Sequence, residues 1–172
     1  MCCTTGPNVV LTVFDVIRMS KYLNIHWLGF LYDYVKPIIA DVIPFLSLKS
    51  RGDSCIFINE GDGIIECSIY PARPLRCRLY PLEVISPSVN SLHLDLKCPG
   101  VGKGERIKVP IKLVKHFFWE LKEHYSMLLR KILEEGRTPL EGLTSVLEEL
   151  WSKREEEATW TSLEYINSLG AT

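Results

Sequence analysis

The sequence has no C-x-x-C pair, no long uncharged run, no excess of charge of either sign and no evident internal repeat. The missing C-x-x-C removes the knuckle by which structural zinc sites are most readily recognised. The most apolar stretch, Tyr22 to Leu48, is interrupted by His26, Asp33, Lys36, Pro37, Asp41 and Pro44. It falls far short of the roughly 18–20 apolar residues that span a bilayer, so a buried helical hairpin accounts for it better. A formal net charge of −1 sets up no global field to recruit nucleic acid or an anionic membrane. Neither is expected as a partner, with a local basic patch left open. Met1-Cys2-Cys3-Thr4-Thr5 lacks the charged and apolar regions of a secretory signal, and the chain reads as soluble and cytoplasmic.

What is present is an ordinary globular balance, 47% hydrophobic and 24% charged residues in a chain of 172. That length suits one compact domain, or a core domain with a helical extension. Against this background six cysteines need a reason. Without an export signal, reduced thiols are the expectation, and reduced cysteines that cluster usually hold metal. Disulfides, or buried cysteines acting as small hydrophobes, are the alternatives.

Thr12 can cap a helix, with Asp15 in the reciprocal position, and Val13, Val16, Ile17, Ser20 and Leu23 share one face of it. A second helix is expected from about His26 toward Ile43, ending near Pro44. Cys55 to Ile58 reads as a strand, Asn59 to Gly63 as a turn and Ile64 to Cys67 as a returning strand. Pro71 and Pro74 make Ile69 to Pro81 a loop with one helical turn. Leu82 to Ile85 and Leu92 to Leu96 suggest a second hairpin, which delivers Cys98. From Pro110 the pattern is helical: Ile111, Val114, Phe118, Leu121, Tyr125, Leu128 and Ile132 recur at steps of three and four. Gly136 closes that helix, Thr138 and Glu141 cap the next, which carries Leu143, Val146, Leu147, Leu150 and Trp151, and a further start at Thr161 leads to Gly170. No polar groups are evident converging on these stripes, so core packing is their expected role.

The fold class that follows is α+β and mostly helical. A cysteine-rich metal-binding core, residues 1–108, has short β-hairpins between N-terminal helices and a C-terminal helical extension, residues 109–172, packed on it.

Cys2, Cys3, Cys55, Cys67, Cys77 and Cys98 are candidate metal ligands, each at a turn or strand end near Gly or Pro, where a thiolate can point inward toward a common centre. Cys55-Ile56-Phe57-Ile58, followed by the run from Cys67-Ser68-Ile69-Tyr70-Pro71 through Arg73-Pro74, Cys77-Arg78 and Tyr80-Pro81, resembles the signature of the YkgJ-type zinc- or iron-chelating family. That signature has a Cys-Pro-Phe-Leu element and then C-x-I-Y-x-x-R-P-x-x-C-R-x-Y-P. The Cys2-Cys3 pair and Cys98-Pro99-Gly100 fit its opening and late cysteines, so the resemblance covers roughly residues 2 to 104. Two departures stand out: the family's C-x-x-C pair ahead of the double cysteine has no counterpart here, and Ile56 replaces the usual proline. The resemblance implies a cofactor, zinc or an iron–sulfur cluster, and ligand type alone does not choose between them.

Arg73, Arg76 and Arg78 flank Cys77 and are candidate cofactor-binding residues: they can offset a thiolate-bound centre or take a substrate phosphate or carboxylate. The plainer expectation is that Arg73 and Arg78 pair with acids or loop carbonyls. The run Gly100-Val101-Gly102-Lys103-Gly104 lacks Walker spacing and reads as a flexible turn. His116 and His124 read as surface or helix residues rather than ligands. The leading function is a metal-binding protein engaged in redox or electron transfer with an unidentified protein or redox partner. The alternative is a zinc-stabilised structural or interaction module without catalysis. A group-transfer enzyme is a third class, since flagellin lysine methylases carry a similar cysteine segment, but no methyl-donor domain is recognisable. Whether the chain is an enzyme stays open.

Overall fold

Helix α1 (Val13–Leu23) begins where its capping residues place it. The Thr12 side chain accepts from the Asp15 N–H, and the Asp15 carboxylate accepts from the Thr12 N–H in return. This reciprocal cap satisfies donors that a helix start leaves unpaired. Asn24, in the left-handed region at φ 54, closes the helix. Every residue from Val13 to Ser20 is buried, so α1 is covered on all sides and forms the axis of the core. The computed structural model describes residues 3, 9–39, 42–61, 64–84, 92–155 and 158–170.

Helix α2 (Trp27–Tyr34) stops well short of the expected Ile43. The chain becomes extended at Val35, and β2 (Val35–Ile38) pairs antiparallel with β3 (Phe45–Leu48), which also pairs with β1 (Val10–Leu11). The residues explain this. Val35 and Ile38 are β-branched, and Pro37, which lacks an N–H, is tolerated because β2 lies at the edge of the β1-β3-β2 sheet. The expected helical hairpin is therefore one helix and a small sheet. Among the described residues, no helix is long and apolar enough to cross a membrane.

Short hairpins follow. β4 (Ser50–Arg51) and β5 (Ser54–Cys55) turn through Gly52 at φ 61, β6 (Ile58–Gly61) pairs with β7 (Ile64–Cys67), and β8 (Leu82–Val84) pairs with β9 (Leu92–Leu94). The single strand expected over Cys55–Ile58 is split. Cys55 pairs with Ser50, Ile58 pairs with Cys67, and the chain turns at Ile56 and Phe57 between them. The loop expected from Ile69 to Pro81 contains a 3-10 turn (Tyr70–Ala72) and helix α3 (Leu75–Leu79). Pro71 and Pro74 stand only at the starts of these two pieces, where a missing N–H costs no ladder bond.

Helix α4 (Ile111–Leu129) runs into a π-helical turn (Arg130–Glu134), and Gly136 at φ 67 ends it as expected. Helix α5 (Pro139–Lys153) carries the Thr138–Glu141 capping box, and α6 (Ala158–Thr161) and α7 (Leu163–Gly170) complete the chain. One core joins Val16 and Ile17 of α1, Phe30 of α2 and Leu46 of β3 to Leu128 of α4 and Leu143, Val146 and Leu147 of α5. A second, smaller cluster packs Leu75 and Leu79 of α3 on Val114 and Phe117 of α4 and Ile166 of α7. The mostly helical α+β class is observed, and α4, α5 and α6 contribute to the same core as α1.

The inward face of α4 differs from the expected stripe. Ile111, Phe118, Leu121 and Ile132 are only partly buried and Tyr125 is exposed. Leu113, Phe117, Glu120 and His124 go inward with Val114 and Leu128. Apolar periodicity misses this face because two of its members are polar.

Candidate metal centre

β5, β7 and α3 each carry one cysteine to a single pocket of about 790 Å³, where Cys55, Cys67 and Cys77 are joined by Cys3. The Cys55 N–H donates to the Cys3 carbonyl at 2.7 Å, which fastens the N-terminal cysteine to β5. The end of β7 is tied down by Ser68, whose N–H and hydroxyl donate to the Phe57 carbonyl at 2.9 and 3.1 Å. Cys77 lies in the middle of α3, which Leu75 and Leu79 hold against α4 and α7. Each thiol is thus positioned by backbone pairing or packing that does not itself require an ion.

The expected six ligands divide. Cys98, half-buried in the turn after β9, does not line this pocket, and Cys2 lies outside the described residues. Cys67, Cys77 and Cys98 take part in no disulfide among the described residues. Among those residues, no three His, Cys, Asp or Glu side chains stand close enough together to hold an ion as placed. The four thiols therefore share a pocket without forming the tight convergence that the sequence suggests. Among the described residues lining it there is no histidine, and the carboxylates are Glu66 and Glu83. A donor set dominated by sulfur is soft and suits zinc or an iron–sulfur cluster over magnesium or calcium.

The four thiols are electrostatically coupled. Burial is the largest influence raising the Cys77 thiol above its ordinary pKa, followed by the negative charges of Asp15, Cys3, Cys55 and Cys67. Four thiolates in this pocket repel one another unless a cation intervenes, and metal ligation of such a set releases protons.

Behind Cys77 lies a buried charge network that the sequence did not reveal. Arg18 donates to Asp15 Oδ1 at 2.6 Å and to Glu120 Oε2 at 2.9 Å, forms a further short contact with Glu120 Oε1, and donates to the Trp160 carbonyl at 3.0 Å. Thr12 Oγ1 lies 3.2 Å from Glu120 Oε2, and His116 Nε2 lies 3.1 Å from Glu120 Oε1. Burial alone would push Glu120 up, but Arg18, with His116, holds it below the ordinary carboxylate value. Asp15 is raised, by burial first, against the opposing pull of Arg18. Above the network, Val13 N–H donates to His124 Nδ1 at 3.2 Å, so His124 caps the start of α1 rather than facing solvent. Burial pushes His124 down to about 4. A buried Arg on α1 opposite a Glu and His on α4 leaves no local sequence signature.

The three arginines around Cys77 separate into two roles. Arg78 braces the proline-broken segment: its Nε donates to the Arg73 carbonyl at 3.0 Å, one terminal nitrogen to Asn167 Oδ1 at 2.6 Å, and the other to the Pro71 carbonyl. Burial, then repulsion from Arg73 and Arg18, lowers its pKa. Arg73 and Arg76 instead line the thiol pocket. Arg73 lies 4.1 Å over the Tyr70 ring, and its buried Nε has no hydrogen-bond partner among the described residues. The expected pairing with acids or carbonyls describes Arg78 and does not describe Arg73.

The family model CxxCxxCC, described as "Putative zinc- or iron-chelating domain", matches residues 1–99. The chain belongs to this family. Every cysteine of the sequence falls within the match, as do the three arginines and the Asp15–Arg18 pair. No curated protein and no solved structure matches the chain significantly. Membership in the CxxCxxCC family supports metal binding, with zinc or iron as the metal, and the sulfur-dominated pocket is chemically suited to both.

Proposed function

We propose that Cys3, Cys55, Cys67 and Cys77 hold an iron–sulfur cluster and that the protein uses it in electron transfer. The observation that carries this reading is the gathering of four thiols from separate segments onto one pocket. Four is the number of protein thiolates that holds a 2Fe–2S or 4Fe–4S cluster. The pocket's volume also exceeds what one ion requires. Such a cluster, when bound, supplies one-electron chemistry at a potential set by its charge, hydrogen bonds and exposure.

The chain's own residues fit this use. Phe57, Ile58 and Ile69, all buried, form an apolar wall that limits water. Arg76 brings positive charge to a set of thiolates that carries negative charge. Cys98, which does not line the pocket, is left for another role. Metal analysis with a visible spectrum on protein purified without oxygen tests the reading.

A zinc-stabilised interaction module is the second reading, and a separate observation favours it. Ile38, Ile39, Val42 and Phe45 are exposed at one end of the three-stranded sheet, where Ile38 pairs with Phe45. Clustered exposed apolar residues of this kind are common at protein contacts.

A further inference from the structure

We infer that the thiol pocket contains a second recognition element, a subsite at Arg73 for the oxyanion group of a small organic acid, carboxylate or phosphate, bound beside the cysteines. The inference rests on the reading of this pocket as the functional site, though it does not depend on which metal occupies it.

Arg73 carries the argument. Its Nε is buried and donates to nothing among the described residues, although unpaired buried donors are rare because they lose their water without compensation. Its guanidinium carbon stands 4.1 Å from the Tyr70 ring centroid, a cation–π contact that holds the group beside the ring. Glu66 and Glu83 line the same pocket, yet neither forms an ion pair with Arg73 among the described residues. Arg76, exposed on the same pocket, likewise has no carboxylate partner among them. The neighbouring Arg78 shows the contrast, since all its nitrogens are spent on Arg73, Pro71 and Asn167. A planar guanidinium beside an aromatic ring, without a carboxylate partner among the described residues, is suited to take a carboxylate or phosphate in bidentate fashion.

The pocket has room for the rest of such a molecule. Its volume of about 790 Å³ lies within the range of small-molecule sites, roughly 300–1,000 Å³, and well above the needs of an ion. Phe57, Ile65 and Ile69 supply apolar surface on the same lining as Arg73 and the thiols. An acid with a compact apolar body fits both features, its charged end on Arg73 and its body against this wall.

The test uses the full chain, purified without oxygen, with metal content measured on every sample. Benzoate and phenyl phosphate are titrated calorimetrically as the two anionic probes, with benzyl alcohol as the neutral control. At least one anion is expected to bind about tenfold or more tightly than the alcohol, a difference of about 1.4 kcal/mol. Arg73→Gln is expected to remove that preference while its metal content equals the parent's, and Arg73→Lys to recover only a minor part of it. Should the variants fold poorly, protection of Arg73 from phenylglyoxal by the tighter anion, read by peptide mass spectrometry on the parent chain, replaces them. Equal binding of anion and alcohol, an unchanged preference in Arg73→Gln, or absence of protection overturns the subsite. Loss of metal together with anion binding in Arg73→Gln also overturns it, since Arg73 then serves only to balance the centre. Parent protein that prefers the anions but holds no metal upholds the subsite and defeats the metal reading instead.

Discussion

Asp15 Oδ1 accepts a hydrogen bond from the Leu75 N–H at 3.2 Å, two residues before Cys77. The same oxygen accepts from Arg18 at 2.6 Å. One buried carboxylate thus ties the core of α1 to the backbone of the segment that presents a candidate ligand. This link explains why a loop-rich cysteine segment can hold a defined position: its anchor is an ion-paired side chain on the most buried helix.

Removing that anchor should be expensive. Asp15→Ala leaves Arg18 with Glu120 alone and takes the acceptor from Thr12 and Leu75 together. Breaking one partner out of a buried ionic set costs about 3–5 kcal/mol. Urea unfolding of Asp15→Ala is expected to show a loss of that size, and metal content should fall with it. Asp15→Asn, which keeps an acceptor oxygen for Leu75, should retain more metal than Asp15→Ala. Equal metal in parent and Asp15→Ala would show that this carboxylate does not position Cys77.

His124 gives the fold a pH dependence with a definite sign. Burial holds its pKa near 4 in the folded chain, below the ordinary value of 6.5. Above pH 6.5 the ring is neutral in both states, and its contribution is fully present. As the pH falls from 6.5 toward 4, the unfolded chain takes up a proton that the folded chain refuses, so stability declines. Between pH 7 and pH 5 this amounts to about 2 kcal/mol. His124→Gln should show a decline smaller by that amount in denaturant titrations at the two pH values. An unchanged difference between pH 7 and pH 5 would place His124 outside the buried cap.

Local signals were legible and non-local ones were not. Both capping boxes, Thr12–Asp15 and Thr138–Glu141, were readable because each is decided within four residues. The strand at Val35–Ile38 was missed because its partner Phe45–Leu48 is what makes it a strand. Glu120 and His124 look like surface residues until Arg18 and Val13, more than a hundred positions away, are seen opposite them. Arg73 and Arg78 stand in nearly the same local sequence, yet only Arg78 reaches Asn167 of α7. The cysteine pocket itself was legible through family resemblance, whereas the exclusion of Cys98 from it depended on where β9 ends.

Arg78 is expected to act on the metal site from a distance. It holds the Pro71 and Arg73 carbonyls and the α7 side chain of Asn167 without lining the pocket. Hydrogen bonds from a charged group contribute about 1.5–3 kcal/mol, and solvent at this partly exposed position should bring the loss in Arg78→Gln toward about 2 kcal/mol. Limited proteolysis should then find faster cleavage between residues 69 and 81. A cleavage pattern and melting curve identical to the parent's would remove Arg78 from the brace.

The cysteines themselves should sort by position. Cys67→Ser and Cys77→Ser are each expected to lose most of the bound metal, because both sulfurs line the pocket. Cys98→Ser, whose sulfur lies off it, should keep a parent-like metal content. The β4–β7 region should loosen on metal loss more than α3, which the cluster around Leu75, Leu79 and Phe117 holds without any ion. Hydrogen exchange on metal-loaded and chelator-treated protein reads this difference. Equal loosening of α3 and β7 would show that the apolar anchor is insufficient.

The nature of the centre is tested most directly by iron and zinc analysis together with the visible spectrum of protein made with iron supplied and purified without oxygen. A cluster held by Cys3, Cys55, Cys67 and Cys77 predicts brown protein with iron and acid-labile sulfide in stoichiometric amount, and broad absorption that bleaches with dithionite. Colourless protein with one zinc per chain, indifferent to dithionite, would contradict electron transfer and leave the zinc-stabilised module in its place.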